Sequence, residues 1–292
     1  MRLQITNSLT ERVSFVMGLR INTNVASLSA QRNLSKASVS LGRNFEHLST
    51  GKRIARASDD AAGLAISTRL SAQVRSLQQA SRNANDGISM VQTAEGSLGE
   101  IANVLSRARE LAVQSANGTL SATDKDGLQQ EFSNLLNQVN QISSSTSFNG
   151  ISLLDGSTPT IALQIGAGTT GGTDTLTVSL TSSTATALSI NALNIGSTGN
   201  ATAAITALDT AIDTISASRS ALGAVQNTLS GTISAIDNRS ENLAGANSRI
   251  VDVDVAAETA ELTKNNILQQ AALAVLAQAN QQPSSALTLL RN

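Results

Sequence analysis

Residues 61–117 read AAGLAISTRLSAQVRSLQQASRNANDGISMVQTAEGSLGEIANVLSRARELAVQSAN. Within them Leu70, Leu77, Ala84, Val91, Leu98, Leu105 and Ala112 fall seven apart without a break, and the interleaved Val74, Ser81, Ile88, Glu95, Ala102 and Arg109 are mixed in character. One apolar position every seven residues beside a mixed one is the seam of a coiled-coil-like helix. As a single helix the stretch would extend about 85 Å at 1.5 Å per residue, too long for the interior of a compact globule. It therefore predicts a rod that buries one stripe against other rods.

Working outward, the C-terminal half supplies a second rod. Leu208, Ile215, Leu222, Leu229, Ile236, Leu243 and Ile250 are again seven apart, with Ile205, Ile212 and Ile233 among the intermediate positions and Arg219, Gln226 and Ser240 filling others. A shorter helix over about 122–143 offers Leu128, Phe132, Leu135, Val139 and Ile142; Ser121 and Asp124 are spaced for a capping-box-like start, and Gly118 marks the end of the helix before it. Between the rods the period changes to two. Ile161, Leu163 and Ile165, then Leu176, Val178 and Leu180, alternate with polar residues over 160–165 and 173–180, which reads as two Thr-rich strands joined by the Gly-rich stretch 166–172. Residues 181–200 are rich in Ser, Thr, Asn and Gly and are expected to be irregular, at an exposed tip. The outer segments, about 19–50 and 255–291, are helical in pattern, with Leu34, Leu41 and Leu48 seven apart, but carry more Asn, Gln and Ser. They are expected to be marginal alone and helical against a partner. The fold class is therefore mainly α: a long antiparallel helical bundle or coiled coil of N- and C-terminal segments with a small β-hairpin region.

Composition narrows what such a bundle can do. The 292 residues contain no Cys, Trp or Tyr, one His and two Pro. Disulfides, thiolate chemistry and Cys-ligated metals are excluded, a Ser-His-Asp triad has only His47 to draw on, and a multi-His zinc site has none to spare. Aromatics at 1% leave little for lined pockets or base stacking. A net charge of -1 gives no general attraction to nucleic acid or anionic membrane. No apolar run approaches the ~20 residues of a membrane span, and Glu11 and Arg12 interrupt the start, so no cleavable secretory signal is expected.

The local motifs that could carry chemistry read better as structure. Gly166-Ala167-Gly168-Thr169-Thr170-Gly171 fits G-x-G-x-x-G, but a strand pattern rather than a helix follows it, as in a hairpin turn. Gly51-Lys52 lacks the other residues of a phosphate loop: Glu46 and Arg53 stand where Gly and Ser or Thr are needed. His47, near a helix end, reads as a surface or interface residue. The pairs Asp59/Asp60 and Asp252/Asp254 precede helices, where negative charge is favoured, and read as caps. Lys52, Arg53 and Arg56 read as a solvated face or an inter-subunit pair. No catalytic, cofactor-binding or metal-ligating residue is assigned, and no cofactor is expected.

Several ordered blocks resemble those of bacterial flagellins. They are Leu19-Arg20-Ile21-Asn22-Thr23-Asn24; Leu48-Ser49-Thr50-Gly51-Lys52-Arg53-Ile54; Asp59-Asp60-Ala61-Ala62-Gly63-Leu64-Ala65-Ile66; Gln79-Ala80-Ser81-Arg82-Asn83-Ala84-Asn85-Asp86-Gly87-Ile88-Ser89; Arg109-Glu110-Leu111-Ala112-Val113-Gln114-Ser115-Ala116-Asn117; Phe148-Asn149-Gly150; Leu222-Gly223-Ala224-Val225-Gln226-Asn227; and the run from Ala257 to Asn280. The resemblance covers about 18–292. Residues 1–16 precede the usual family start, and Met17 stands where an initiator would. Val255, Gln282 and Ala286 depart from the family's usual residue types.

The resemblance implies an exported subunit that polymerises into the extracellular filament of the bacterial flagellum for motility, in a minimal form without variable outer domains. It implies an N-terminal extension over 1–17, an inner terminal coiled-coil domain over 18–58 and 250–292, and an outer helical-bundle domain over 59–249 with the β-hairpin region at about 150–198. Polymerisation seams are expected at Leu34, Leu41, Leu48, Leu262 and Leu276. The implied partners are other copies of the chain, the flagellar export apparatus and an export chaperone, and the filament cap and hook-junction proteins. A host Toll-like receptor that reads many flagellins would contact Arg107, Leu111, Gln114 and Glu131. The alternatives are a hook–filament junction protein, which shares the terminal design, and an enzyme built on a helical bundle, for which no residue speaks.

Overall fold

The computed structural model describes residues 23–290, with side chains as far as Pro283. The expected extension over 1–17, the Met17 start and the block from Leu19 to Asn22 lie outside the described residues. The chain forms α1 (Val25–Thr50), α2 (Ala61–Ser115), α3 (Ala122–Ser145), β1 (Ser147–Phe148), β2 (Ile151–Ser152), β3 (Thr160–Gln164), β4 (Thr175–Ser179), α4 (Ala201–Val251) and α5 (Val255–Leu290). It divides into a terminal unit, residues up to Ala65 and from Ser248, and a central unit, Ile66–Asn247.

The central unit is built on the seams legible in the sequence. Leu77, Ala84, Val91, Leu98, Leu105 and Ala112 of α2 are buried, as are Leu208, Ile215, Leu222, Leu229 and Ile236 of α4. Their pairing is antiparallel: Leu77 and Ala80 cluster with Ile236, Ala84 with Leu229, and Arg109 reaches Asp209 from Nε at 2.5 Å. The short α3 adds Phe132, Leu136 and Val139 to the main core. It begins with a full capping box, in which the Ser121 hydroxyl accepts from the Asp124 N–H and the Asp124 carboxylate accepts from the Ser121 N–H. α2 stops at Ser115, before Gly118, and the Asn117 side chain accepts from the Thr119 N–H in the turn that follows.

β3 and β4 pair antiparallel with Ile161 opposite Val178 and Leu163 opposite Leu176, as the period-two pattern requires. The Gly166–Gly171 stretch is their connection: the Thr170 carbonyl accepts from the Asp174 N–H, and the Asp174 carboxylate accepts from the Thr170 N–H. A second, smaller hairpin, β1–β2, turns on Asn149 and Gly150, both at positive φ (49° and 78°). That backbone suits the right-handed twist of a tight hairpin, and Asn-Gly is the pair that adopts it most readily.

One expectation is corrected. Residues 181–200 are irregular, but they are not an exposed tip. Ala185, Leu188, Ile190 and Ile195 are buried in the main core. Their backbone is held by α3: the Asn140 side chain accepts from the Ala185 N–H, Gln129 from the Ile195 N–H, and Asp126 from the Ser197 N–H and hydroxyl. Aliphatic residues spread among many Ser and Thr show no period, so neither template of regular structure detects them.

Candidate functional site

In the terminal unit, α1 and α5 form an antiparallel pair. The contacts run in opposite senses along the two helices: Asn24 Nδ2 donates to the Ala279 carbonyl, the Ser27 hydroxyl to Asn280, the Gln269 amide to Ser38, the Asn265 amide to Asn44, and the Asn44 amide to Glu258. At alternating steps of three and four, Ser27, Ala30, Leu34, Ala37, Leu41, Asn44 and Leu48 of α1 turn from solvent, as do Glu258, Leu262, Asn265, Gln269, Ala272, Leu276 and Ala279 of α5. This is a heptad seam in which leucines alternate with small and polar residues. The two helices pack along this shared face. Leu34, Leu41, Leu48, Leu262 and Leu276 are therefore half-buried in the pair's own seam.

Helix ends and a two-strand bridge define the pair's closed end. α1 ends on Gly51 at φ 69°, the left-handed position that glycine occupies at no steric cost. Arg53 N–H then donates to the Val251 carbonyl and Val253 N–H to the Gly51 carbonyl, at 2.6 and 3.1 Å. The Asp254 carboxylate caps α5 through the Ala256 and Ala257 N–H groups, and Asp60 caps α2 through the Gly63 N–H. Asp59 instead accepts from the Arg56 and Ala55 N–H groups, and these bonds hold its carboxyl below the usual range. Of the basic run, Arg56 pairs with Glu46 and Arg53 donates to the Ile250 carbonyl. These polar residues are engaged in building the turn.

What the pair leaves outside is more telling than what it encloses. Val25, Leu28, Val39 and Phe45 of α1 are exposed, as are Val255, Ile267, Leu268, Leu273 and Val275 of α5. At about 100° per residue, Ile267 lies opposite the α5 seam, while Leu268 and Val275 flank it on one side and Val255 and Leu273 on the other. A helix that is apolar on all sides is a helix meant to be surrounded, and one partner covers only one side. The sequence reading missed these residues because it sought a period of seven. They fill the positions between the heptads, where the signal was apolar content without a period.

A second surface lies on the central unit. Arg107 donates to Glu131 of α3 and to Glu110 at 3.0 Å each, so two of the expected receptor residues are joined directly. Gln114 is exposed beside them. Leu111 is a correction: it is 1% exposed and belongs to the main core, so it is not available on that face. Its four-residue step from Arg107 moves it about 40° around the helix, enough to cross from the polar side to the buried one.

Among the described residues, no group of three or more His, Asp or Glu side chains is placed to hold a metal ion, and no helix is long and apolar enough to cross a membrane.

Comparison with known proteins places this architecture. The bacterial flagellin N-terminal helical region matches residues 21–158 and the C-terminal helical region residues 205–290. The flagellin of Halalkalibacterium halodurans is 47% identical over 93% of this chain and 99% of its own length. The flagellin of Bacillus subtilis is 45% identical over 94% of this chain and 100% of its own. A putative flagellar hook-associated protein from Vibrio parahaemolyticus superposes with a TM-score of 0.57 over 66% of this chain and 100% of that one, at 15% identity, a likeness of fold alone.

Proposed function

The chain belongs to the bacterial flagellin family and is a structural subunit of the flagellar filament; from that premise we propose that it assembles through the exposed apolar residues of its terminal helix pair. The observation that carries this reading is the exposure of Leu28, Val39, Phe45, Ile267, Leu268, Leu273 and Val275 on helices whose shared seam is already closed. Apolar surface removed from water contributes about 25 cal/mol per Å², and neighbouring copies of the chain supply such surface in a homopolymer. The segments 18–58 and 250–292 then form the inner coiled-coil domain and 59–249 the outer bundle domain. Neither the hook–filament junction reading nor the enzyme reading is favoured by the family match.

The remaining partners follow from the same reading. The subunit leaves the cell through the flagellar export apparatus with a chaperone, adds beneath the filament cap on top of the hook-junction proteins, and ends in an extracellular filament. It acts structurally, not as an enzyme. A host Toll-like receptor reads the monomer through Arg107, Gln114 and Glu131; Leu111 supports that face from within the core. Arg107→Ala is expected to weaken receptor binding about tenfold or more, as an interface arginine does. Equal binding by wild type and variant would remove this face from the account.

The assembly reading is tested with purified protein seeded by filament fragments. Wild type elongates the seeds. A chain lacking 18–50 remains soluble and does not elongate them; normal elongation by that chain would overturn the mechanism.

A further inference from the structure

A glycine that follows asparagine or aspartate leaves its own backbone nitrogen open to the preceding side chain, because no Cβ screens it. The chain has five such pairs: Asp86-Gly87, Asn117-Gly118, Asp126-Gly127, Asn149-Gly150 and Asp155-Gly156. All lie in the central unit, and their surroundings differ. Gly87 and Gly127 sit inside α2 and α3, where each N–H is bonded to the carbonyl four residues back. Asp155 accepts from the Ser157 hydroxyl and N–H at 2.7 and 2.9 Å, and these bonds hold its carboxyl below the ordinary range. An ionised carboxylate repels a nucleophile, so that pair is silent as well.

The two asparagine pairs are both exposed, and a Cβ added to either glycine would meet nothing within 4 Å. Backbone conformation separates them. For the side-chain Cγ to reach the next nitrogen, Cβ and that nitrogen must come close to eclipsed about the Cα–C bond. Asn149 has φ 49°, in the left-handed region, where ψ is about +47° and the two atoms are turned about 165° apart. The pairing of Ser147 with Ser152 and of Phe148 with Ile151 holds it there. Among the described residues, Asn149 and Ser189 are the non-glycine residues of positive φ, so Asn117 is not left-handed. In the right-handed helical and extended regions the same separation is about 80° and about 105°.

Further features of Asn117 favour attack. Its Oδ1 accepts from the Thr119 N–H at 3.2 Å, which folds the amide back over the Gly118 nitrogen as an Asx-turn does. That N–H points at the oxygen on which negative charge develops when the amide carbon becomes tetrahedral. Among the described residues no acceptor is bonded to the Gly118 N–H, so its proton is open to solvent. The bonds of the turn are long: the Asn117 N–H donates to the Gln114 carbonyl at 3.2 Å and the Leu120 N–H to the Asn117 carbonyl at 3.5 Å. No strand ladder locks this turn, as one locks Asn149.

We propose that Asn117 is a site of spontaneous chemical modification, at which the Gly118 nitrogen closes on the side-chain amide and converts asparagine to aspartate and isoaspartate. The Gly118 nitrogen loses its proton to solvent and bonds to Asn117 Cγ. The Cγ–Nδ2 bond breaks, and the amide group takes a proton from solvent and leaves as ammonia. Water then opens the cyclic imide. Cleavage at Cγ gives aspartate; cleavage at the former main-chain carbonyl gives isoaspartate, whose main chain runs through Cβ and Cγ. Each event consumes one water, releases one ammonia and adds one negative charge to the turn between α2 and α3. In isoaspartate the carbonyl that accepted from the Leu120 N–H becomes a pendant carboxylate, and the turn is longer by one atom. The reaction needs only water, so the extent of conversion records how long a subunit has existed.

Peptide mass spectrometry of the soluble full-length chain tests this without requiring filaments, so its outcome is separable from that of the assembly reading. The chain is held near neutral pH in water enriched in oxygen-18, which labels each imide as it opens, and samples are digested under acid conditions that halt the reaction. In the folded chain, conversion at Asn117 is expected to be about tenfold faster or more than at Asn149, whose reaction waits on local opening of its hairpin. In denaturant the two rates are expected to converge, since both pairs are then the same unrestrained dipeptide. Gly118→Ala is expected to suppress conversion at 117 and leave that at 149 unchanged. Equal rates at the two sites of the folded chain, faster conversion at Asn149, a difference that persists in denaturant, or wild-type conversion in Gly118→Ala would overturn the proposal. So would an Asn117 that stays intact in the folded chain while the denatured chain converts.

Discussion

Heptads run through both the terminal pair and the central bundle, but they are filled differently. The α2 and α4 seams bury Leu77, Val91, Leu98, Leu105, Leu208, Ile215, Leu222 and Leu229. The α1 and α5 seam closes over Ser27, Ala30, Ala37, Asn44, Asn265 and Ala279 together with the half-buried Leu34, Leu41, Leu48, Leu262, Gln269 and Leu276, and puts Leu28, Phe45, Ile267 and Leu273 outside. The central unit keeps its large apolar side chains for its own core. The terminal unit mixes leucines with polar bonds and small residues in its own seam and has further large apolar side chains exposed. The same period can therefore serve folding in one region and assembly in another, and the side chains at and between the heptad positions tell which.

Two phenylalanines give the largest contrast. Phe132 is fully buried in the central core, and Phe45 is 53% exposed on α1. Phe132→Ala is expected to cost about 3–5 kcal/mol of central-unit stability, read from denaturant unfolding followed by helix content. Phe45→Ala is expected to change that stability by no more than about 0.5 kcal/mol and to slow filament elongation instead. Equal effects on unfolding would erase the distinction.

The seam of the pair is expected to respond in an intermediate way. Leu41→Asp and Leu276→Asp place a carboxylate in a half-buried position between α1 and α5. Soluble subunits with near-normal helix content but no filaments are expected, by circular dichroism and sedimentation. Wholesale loss of helicity would mean that the terminal pair supports the central fold.

A smaller effect than that of Phe132 belongs to the α3 cap. Ser121→Ala is expected to cost about 1 kcal/mol. The Ser121 hydroxyl, then its N–H, holds the Asp124 carboxyl below its ordinary value, and the Ser197 N–H, then its hydroxyl, does the same for Asp126. A carboxyl lowered in the folded state contributes stability above its unfolded value, near pH 4, and loses it as pH falls through the lowered value. Removing Ser121 should therefore flatten the acid limb of the central unit's stability profile. An unchanged limb would show that the cap does not set it.

The central bundle was legible because its rods bury one stripe with large residues, and a stripe of large residues is a period. The β3–β4 hairpin was legible for the same reason at period two. The packed segment around Ile190 and Ile195 was not, since its order comes from Gln129, Asn140 and Asp126 on a distant helix. Leu111 was misplaced because a four-residue step keeps a side chain near a face without keeping it on the solvent side of the boundary. On the terminal helices, the heptad leucines marked the pair's own seam. The exposed apolar residues between them repeat at no fixed interval and lie on several sides of the helices.

Under the proposed assembly, the exposed apolar residues of the pair serve the filament and not the fold of the subunit. Seeded elongation and thermal unfolding of a Leu28→Asp, Ile267→Asp double variant test it together. Both residues are exposed, at 51% and 60%, and neither lies in the seam. Wild-type helix content and melting of the central unit are expected, with no growth on filament seeds. Elongation at the wild-type rate, or loss of assembly only in step with loss of helix, would contradict it.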